Sequence, residues 1–453
     1  MAGVGDQELG GATATADVAT HPVDVHESFL HEEHPLHRPR HGRHVGSGVA
    51  AVAFLLVPAV AFVLGVRPAA FENRALAAFP AVTEGWGFLG GLPPWASDHL
   101  PLRQQAVQAA DGISRGVFGE PFPFGARTGS GIVGPVAAAA GDATPAAPDG
   151  VSVPRADSEG LDPLYPPVIP GLGGWDYLGD DVVRGCRPTL SPDAVIVQLL
   201  QLKAAVEASG RTFVLVVPPN KSSVVTENLP ASFLGSDCLS ATRDAFWARA
   251  AAVAAVDLRR PLADMARVLG PEAVYFPEDS HWTFRGGLLL TQVLAQLIDP
   301  AATASWRTSS GPAYTGSADL PPLVGRTGVD ETPTIGLSPD GGHDRTRYDL
   351  SADARTVRLS SQPGTGTIDV PVSIIGDSYS QWATPFLAAT FTDATVVRIN
   401  SPGQTTAQFA SAVASGHVVA VALVERIVTT GYGPLFDPST MAAVLSALAA
   451  APR

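Results

Sequence analysis

A short, mostly apolar run at 370–375 ends in Gly376-Asp377-Ser378 and leads at once into a helical pattern at 381–389. No other stretch limits the possible folds as much. A buried strand that stops at a small-residue turn and feeds a helix puts the turn residue at the carboxyl edge of a sheet. The side chain there is exposed, and the helix N-terminus behind it favours developing negative charge. Ser378 is therefore the candidate nucleophile. A serine needs a base to activate it. The best-placed one lies about a hundred residues earlier, in Glu278-Asp279-Ser280-His281-Trp282.

The same strand-then-helix alternation recurs from Trp175 onward. Ser191-Pro192 reads as an N-cap followed by proline at the first helical position, and Gly210 stops the helix that follows. Residues 212–217 form a β-rich run ending at Pro218-Pro219-Asn220-Lys221. Further strands are expected at 273–276, 356–359, 395–399 and 417–424, with helices at 243–256, 285–298, 405–414 and 439–449. Residues 300–350 read as irregular. The expected fold is α/β, an open and mostly parallel sheet flanked by helices. Sites in such sheets lie beyond the carboxyl ends of strands. Asn220, Asp279, His281 and Ser378 each fall just after an expected strand.

Seven of the eleven histidines lie in the first 44 residues. Of His99, His281, His343 and His417, only His281 combines a strand end, a helix start and a carboxylate two residues back. Residues two apart in an extended segment point the same way. Asp279 can thus orient the imidazole through Nδ1 while Nε2 faces the serine. The plainer reading is that Asp279 caps the helix beginning near Thr283, His281 is a surface residue and Asp377-Ser378 is a polar turn.

Ahead of this unit, residues 1–44 are polar and without apolar period, and are expected to form a disordered cytoplasmic tail. Residues 45–66 are 22 uncharged residues, mostly Ala, Val, Leu and Phe. As a helix they would reach roughly 33 Å, enough to cross a bilayer core. Arg38, Arg40 and Arg43 just before them favour a cytoplasmic N-terminus. The expectation is a single-pass anchor in the cell membrane with the rest of the chain outside. Residues 67–120 form the juxtamembrane part, 121–174 a Pro/Gly/Ala-rich linker or insertion, and 175–453 the catalytic domain. The formal charge of -14 argues against an electrostatic grip on nucleic acid. Outside the cytoplasm the two cysteines, Cys186 and Cys238, can form one disulfide across the two ends of the first βα unit; the alternative is two separate thiols.

Seven blocks, in order, carry a family resemblance. They are Glu72-Asn73-Arg74, Asp98-His99-x-Pro101-x-Arg103, Gly174-Trp175-Asp176-Tyr177-Leu178, Pro219-Asn220-Lys221, Asp279-Ser280-His281-Trp282-Thr283, Gly376-Asp377-Ser378-Tyr379-Ser380 and Glu425-Arg426. Together they resemble the SGNH-hydrolase-like domain of the alginate O-acetyltransferase family, the AlgX/AlgJ type. In that family the Asp-x-His block precedes the Gly-Asp-Ser block, as here. The resemblance implies Ser378 as nucleophile, His281 as general base and acid, and Asp279 as the group orienting His281. It implies a two-step acyl transfer, in which Ser378 takes an acetyl group and a hydroxyl of a cell-envelope or exported polysaccharide then receives it. It also implies that a multi-pass membrane O-acyltransferase supplies the acetyl donor.

The Ser378 backbone N–H is expected to hold the oxyanion. Asn220 and Lys221 are either further donors and substrate contacts or part of packing. Trp282, Tyr379 and Trp382 are either a sugar-stacking platform or core. The sequence has no phosphate-cradling loop, Cys/His metal set or dinucleotide fingerprint, and no cofactor is expected. Two other readings use the same residues: an acetylesterase of the same fold, and a non-catalytic polysaccharide-binding or assembly scaffold.

Overall fold

The computed structural model describes residues 165–349, 356–401 and 403–453, together with scattered positions between 49 and 117. The chain divides into two units, 1–64 and 65–453. The first unit's described residues are mainly helical, up to Val63. Half of the expected membrane helix at 45–66 lies outside the described residues, as do the tail at 1–44 and residues 121–164. Among the described residues no helix is long and apolar enough to cross a membrane. In the second unit a helix spans Arg103–Ile113.

The main sheet has six strands in the order β4-β3-β10-β8-β9-β7. These are β3 (Thr212–Val217), β4 (Val256–Asp257), β7 (Val357–Leu359), β8 (Val372–Gly376), β9 (Ala394–Arg398) and β10 (Val418–Ala422). All neighbours are parallel except β7, which runs antiparallel to β9 at the edge. The sheet is thus mixed and mostly parallel, as expected, with one antiparallel strand at its edge. β8 and β10 occupy the centre, and every residue in both is buried. Strands covered on both faces need continuous apolar runs, which is why these two were easy to read.

Several expectations shift. β1 (Val168–Pro170) pairs with β2 (Asp176–Leu178), so the folded unit starts inside the segment expected to be linker. No strand forms at 273–276. A 3₁₀ turn at Pro271–Ala273 is followed by a single antiparallel bridge, Tyr275 to Trp282. The expected helix 243–256 is instead a helix at Ser236–Trp247 followed by a 3₁₀ turn at Ala250–Val253, and Arg259–Leu269 is an unexpected helix. The region expected to be irregular contains a long two-stranded antiparallel arm, β5 (Arg307–Ser317) with β6 (Val329–Ser338). Its positions are mostly exposed or half-buried and rich in Ser, Thr and Gly, so no apolar alternation marks it.

Cys186 and Cys238 form a disulfide with a Cα–Cα distance of 4.9 Å. It joins the ends of the helices Gly179–Cys186 and Ser236–Trp247.

Candidate active site

Because β3, β8 and β10 run parallel and in register, their carboxyl ends open on one edge. The loops leaving them are laced together. Asp377 caps the 3₁₀ turn Ser378–Trp382 through Oδ1, which accepts the Tyr379 N–H at 2.8 Å. Its Oδ2 accepts the Val424 N–H at 2.5 Å, tying the turn to the end of β10. Asn220 Oδ1 accepts the Arg426 N–H at 3.2 Å, and the Asn220 N–H donates to Glu425 Oε2 at 3.2 Å. Asn220 therefore fastens the end of β3 to the end of β10.

Ser378 is half-buried at the head of its turn. Among the described residues neither its Oγ nor its backbone N–H has a hydrogen-bond partner. A close approach presses the turn from the helix Phe284–Ile298, where an added Cβ at Gly287 would lie 2.0 Å from the Trp382 carbonyl oxygen.

Asp279 and His281 sit on the loop closed by the Tyr275–Trp282 bridge, not at a strand end as expected. Asp279 Oδ1 accepts both the His281 N–H at 2.8 Å and His281 Nδ1 at 2.7 Å. A carboxylate at that distance makes Nδ1 the proton-bearing nitrogen and leaves Nε2 as acceptor. His281 is only 1% exposed, and its Nε2 is buried with no hydrogen-bond partner among the described residues. The Tyr379 ring, next in sequence to Ser378, lies 5.1 Å from the imidazole. The structure thus brings the Ser378 turn against the imidazole, without a hydrogen bond from Ser378 to Nε2. Such bonds often tighten only when substrate arrives.

The base loop is held from three sides. From the end of β3, Lys221 Nζ donates to the carbonyls of Phe276 and Pro277 at 3.0 Å each and of Asp279 at 2.6 Å. Lys221 is 2% exposed with all three ammonium protons committed, so the expected contact with substrate is corrected. From the nucleophile turn, the Tyr379 hydroxyl donates to the Ser280 carbonyl at 2.6 Å, and the Trp282 indole N–H donates to the Tyr379 carbonyl at 3.1 Å. Tyr379 and Trp282 are fully buried and Trp382 nearly so. They form core, the second of the two readings open for these three rings, and the buried Tyr379 is not placed for the substrate contact also expected of it.

From the β5–β6 connection, the Asp319 N–H donates to Asp279 Oδ2 at 3.0 Å, and the Asp319 carboxylate accepts the Ser280 N–H at 2.7 Å and the Ser280 hydroxyl at 2.6 Å. Asp319 Oδ2 also lies 3.5 Å from His281 Nδ1. No spacing or motif singles out Asp319, which lies 40 positions from its partner.

The charges act on one another. Burial works to lower the His281 pKa, but the charge and hydrogen bond of Asp279, helped by Asp319, raise it above the ordinary histidine value. Burial works against ionised Asp279 too, yet His281 outweighs it and holds this carboxyl below its usual range. Asp330, on β6, is pushed up to about 9 by burial and then by Asp279, so it stays protonated at neutral pH. Asp279, His281 and Asp319 offer donor atoms within 4.8 Å of one another, a spacing that could hold a metal ion. His281 Nδ1 is already committed to Asp279, and both Asp319 oxygens to Ser280, so these donor atoms are taken up by one another and by the loop.

The family described as the SGNH hydrolase-like domain of the acetyltransferase AlgX matches residues 168–415. No curated protein matches this chain. Similar solved structures include the O-acetyltransferase domain of Pseudomonas putida AlgJ, at 16% identity and TM-score 0.41, covering 62% of this chain and 99% of that one. Bacillus cereus PatB1 is similar at 15% identity and TM-score 0.38, covering 58% and 97%. Pseudomonas aeruginosa AlgX is similar at 14% identity and TM-score 0.41, covering 62% and 66%. The family match takes in more than half of the chain and contains the base loop and the nucleophile turn, so the chain belongs to the family of AlgX-type SGNH hydrolase-like acetyltransferase domains.

Proposed function

We propose that this protein is an O-acetyltransferase that moves an acetyl group through Ser378 to a hydroxyl of a cell-envelope or exported polysaccharide. The observation that carries this reading is the buried, unpartnered His281 Nε2, with Nδ1 fixed on Asp279 and the nucleophile turn packed on the ring. In the first step Ser378 Oγ gives its proton to Nε2 and attacks the acetyl carbonyl, and the donor's oxygen leaves with that proton. In the second step the acceptor hydroxyl gives its proton to Nε2 and attacks the acyl-serine, the acyl–Oγ bond breaks, and Oγ takes the proton back from Nε2. Asp279 stabilises the imidazolium in both steps. The Ser378 N–H, without a partner among the described residues, supports a role in holding the oxyanion.

The apolar stretch 45–66 supports a membrane anchor with the catalytic unit outside the cytoplasm, where the disulfide is stable. The acetyl donor would be delivered at the membrane by a multi-pass O-acyltransferase. The test is acetylation of an oligosaccharide by the full-length protein with a chromogenic acetyl ester as donor. Ser378→Ala and His281→Ala should each lower product formation about 10³-fold or more. Oligosaccharide acetylation unaffected by Ser378→Ala contradicts the transferase reading, and ester turnover to free acetate alone identifies an esterase.

A further inference from the structure

Asp319 is used by neither transfer step, yet it touches every residue of the base triplet. Its N–H holds Asp279 Oδ2, its carboxylate holds both donors of Ser280, and one of its oxygens lies 3.5 Å from His281 Nδ1. Its own position is fixed from outside the loop. The neighbouring Leu320 is fully buried in a small cluster with Val168 and Val324, and the Leu320 N–H donates to the Glu278 carbonyl at 3.2 Å. The β5–β6 arm thus delivers a second carboxylate to the base.

We propose that Asp319 is a positioning residue that holds the Asp279-Ser280-His281 turn in register and adds its negative charge to that of Asp279 at the imidazole. This rests on His281 being the base of the proposed transfer. The other groups around the imidazole are Asp279 on its own loop, Asp330 on β6, the Tyr379 ring of the nucleophile turn and Arg426 of the helix Glu425–Thr430. Lys221 acts through the loop carbonyls it binds. Arg426 opposes protonation of His281 and Asp330 is largely uncharged at neutral pH, so the balance rests on Asp279 and on Asp319, whose own carboxyl is raised by burial and by the Asp279 charge but lowered by His281 and the Ser280 hydrogen bonds.

The experiment is the pH profile of kcat/KM for a chromogenic acetyl ester, together with the imidazole titration of His281 in full-length protein carrying isotope-labelled histidine. His281→Gln assigns the signal. The base works neutral, so the rate rises with pH across the His281 midpoint. Asp319→Asn keeps an acceptor for Ser280 but loses the charge. It should move both the rising limb and the titration midpoint down by about one pH unit. Asp319→Glu, which keeps the charge, should return both toward wild type. A folded Asp319→Asn protein that is slower but has an unshifted limb and midpoint overturns the proposal, because a purely structural role would give that pattern. Should Asp319→Asn fail to fold, Asp319→Ser, which also keeps an acceptor for Ser280 and lacks the charge, decides: a midpoint about one unit below wild type supports the proposal and an unshifted midpoint overturns it. Failure of the wild-type protein to acetylate Ser378 is a separate result, and it counts against the transferase reading itself.

Discussion

The Lys221 ammonium and the Asp279 carbonyl are joined by a hydrogen bond of 2.6 Å, and the same ammonium reaches the carbonyls of Phe276 and Pro277. One cation from the end of β3 therefore substitutes for the ladder that the base loop lacks. Lys221→Met should leave the buried carbonyls of Phe276 and Asp279, and the half-buried one of Pro277, without this donor and cost about 3 kcal/mol, read from denaturant unfolding. Kinetically it should lower kcat by loosening the base, with KM for the donor ester near wild type. A selective rise in KM with stability intact would return Lys221 to substrate binding.

Asp330 links stability to pH. Its folded carboxyl is held up to about 9, far above the ~3.9 of an unfolded aspartate. Between these values the folded chain keeps a proton that the unfolded chain has released. The stability this proton gives is complete below pH ~4 and is lost as pH rises toward about 9. Asp330→Asn removes that dependence. Its Tm relative to wild type should therefore rise from pH 5 to pH 8. An offset that is flat over this range would mean that Asp330 is ionised in the folded protein.

Gly287→Ala separates helix propensity from packing. In an open helix the change would stabilise by roughly 1 kcal/mol. Here the new Cβ meets the Trp382 carbonyl oxygen at 2.0 Å, its carbonyl carbon at 2.3 Å and the Ala383 nitrogen at 2.7 Å, all backbone atoms that cannot rotate away. The expected result is a loss of about 1–3 kcal/mol in unfolding free energy and a fall in ester turnover, as the Ser378 turn is pushed off the imidazole. A stabilised, fully active variant would show that the turn and the helix are less tightly apposed.

The disulfide closes a separation of 52 residues. Replacing Cys186 and Cys238 by serine should lower stability by about 2–4 kcal/mol through the freer unfolded chain. Reductant should shift the wild-type unfolding midpoint toward that of the double variant and leave the double variant unmoved. A wild-type midpoint insensitive to reductant, in protein shown to be reduced, would contradict this.

What could be read from the sequence follows from how local each signal is. The turn bearing Ser378 was legible because a central parallel strand is a mostly apolar run with a sharp end. The Asp279–His281 pairing was legible from its two-residue spacing, although the segment is a loop in which Asp279 Oδ1 takes both the His281 N–H and Nδ1. Its support was misread. Tyr275 and Trp282 make one bridge instead of a strand, and the stiffness comes from Lys221, Tyr379 and Asp319, which lie 39 to 99 positions from their partners in the loop. No periodicity marks such contacts. The β5–β6 arm was missed because its polar, largely exposed strands lack the alternation that identifies a half-buried sheet. Lys221 and Tyr379 were expected to face substrate because polar and aromatic groups beside a nucleophile often do. Here their polar atoms are taken up by backbone carbonyls.

The intact mass of the full-length protein, taken seconds after mixing with a chromogenic acetyl ester, tests the transfer most directly. The predicted result is one added acetyl group, mapped to the peptide containing Ser378 and absent from Ser378→Ala. It should be discharged faster by an oligosaccharide hydroxyl than by water. A folded wild-type protein that gains no mass and turns over no ester, or that carries its acetyl group on another residue, would contradict it.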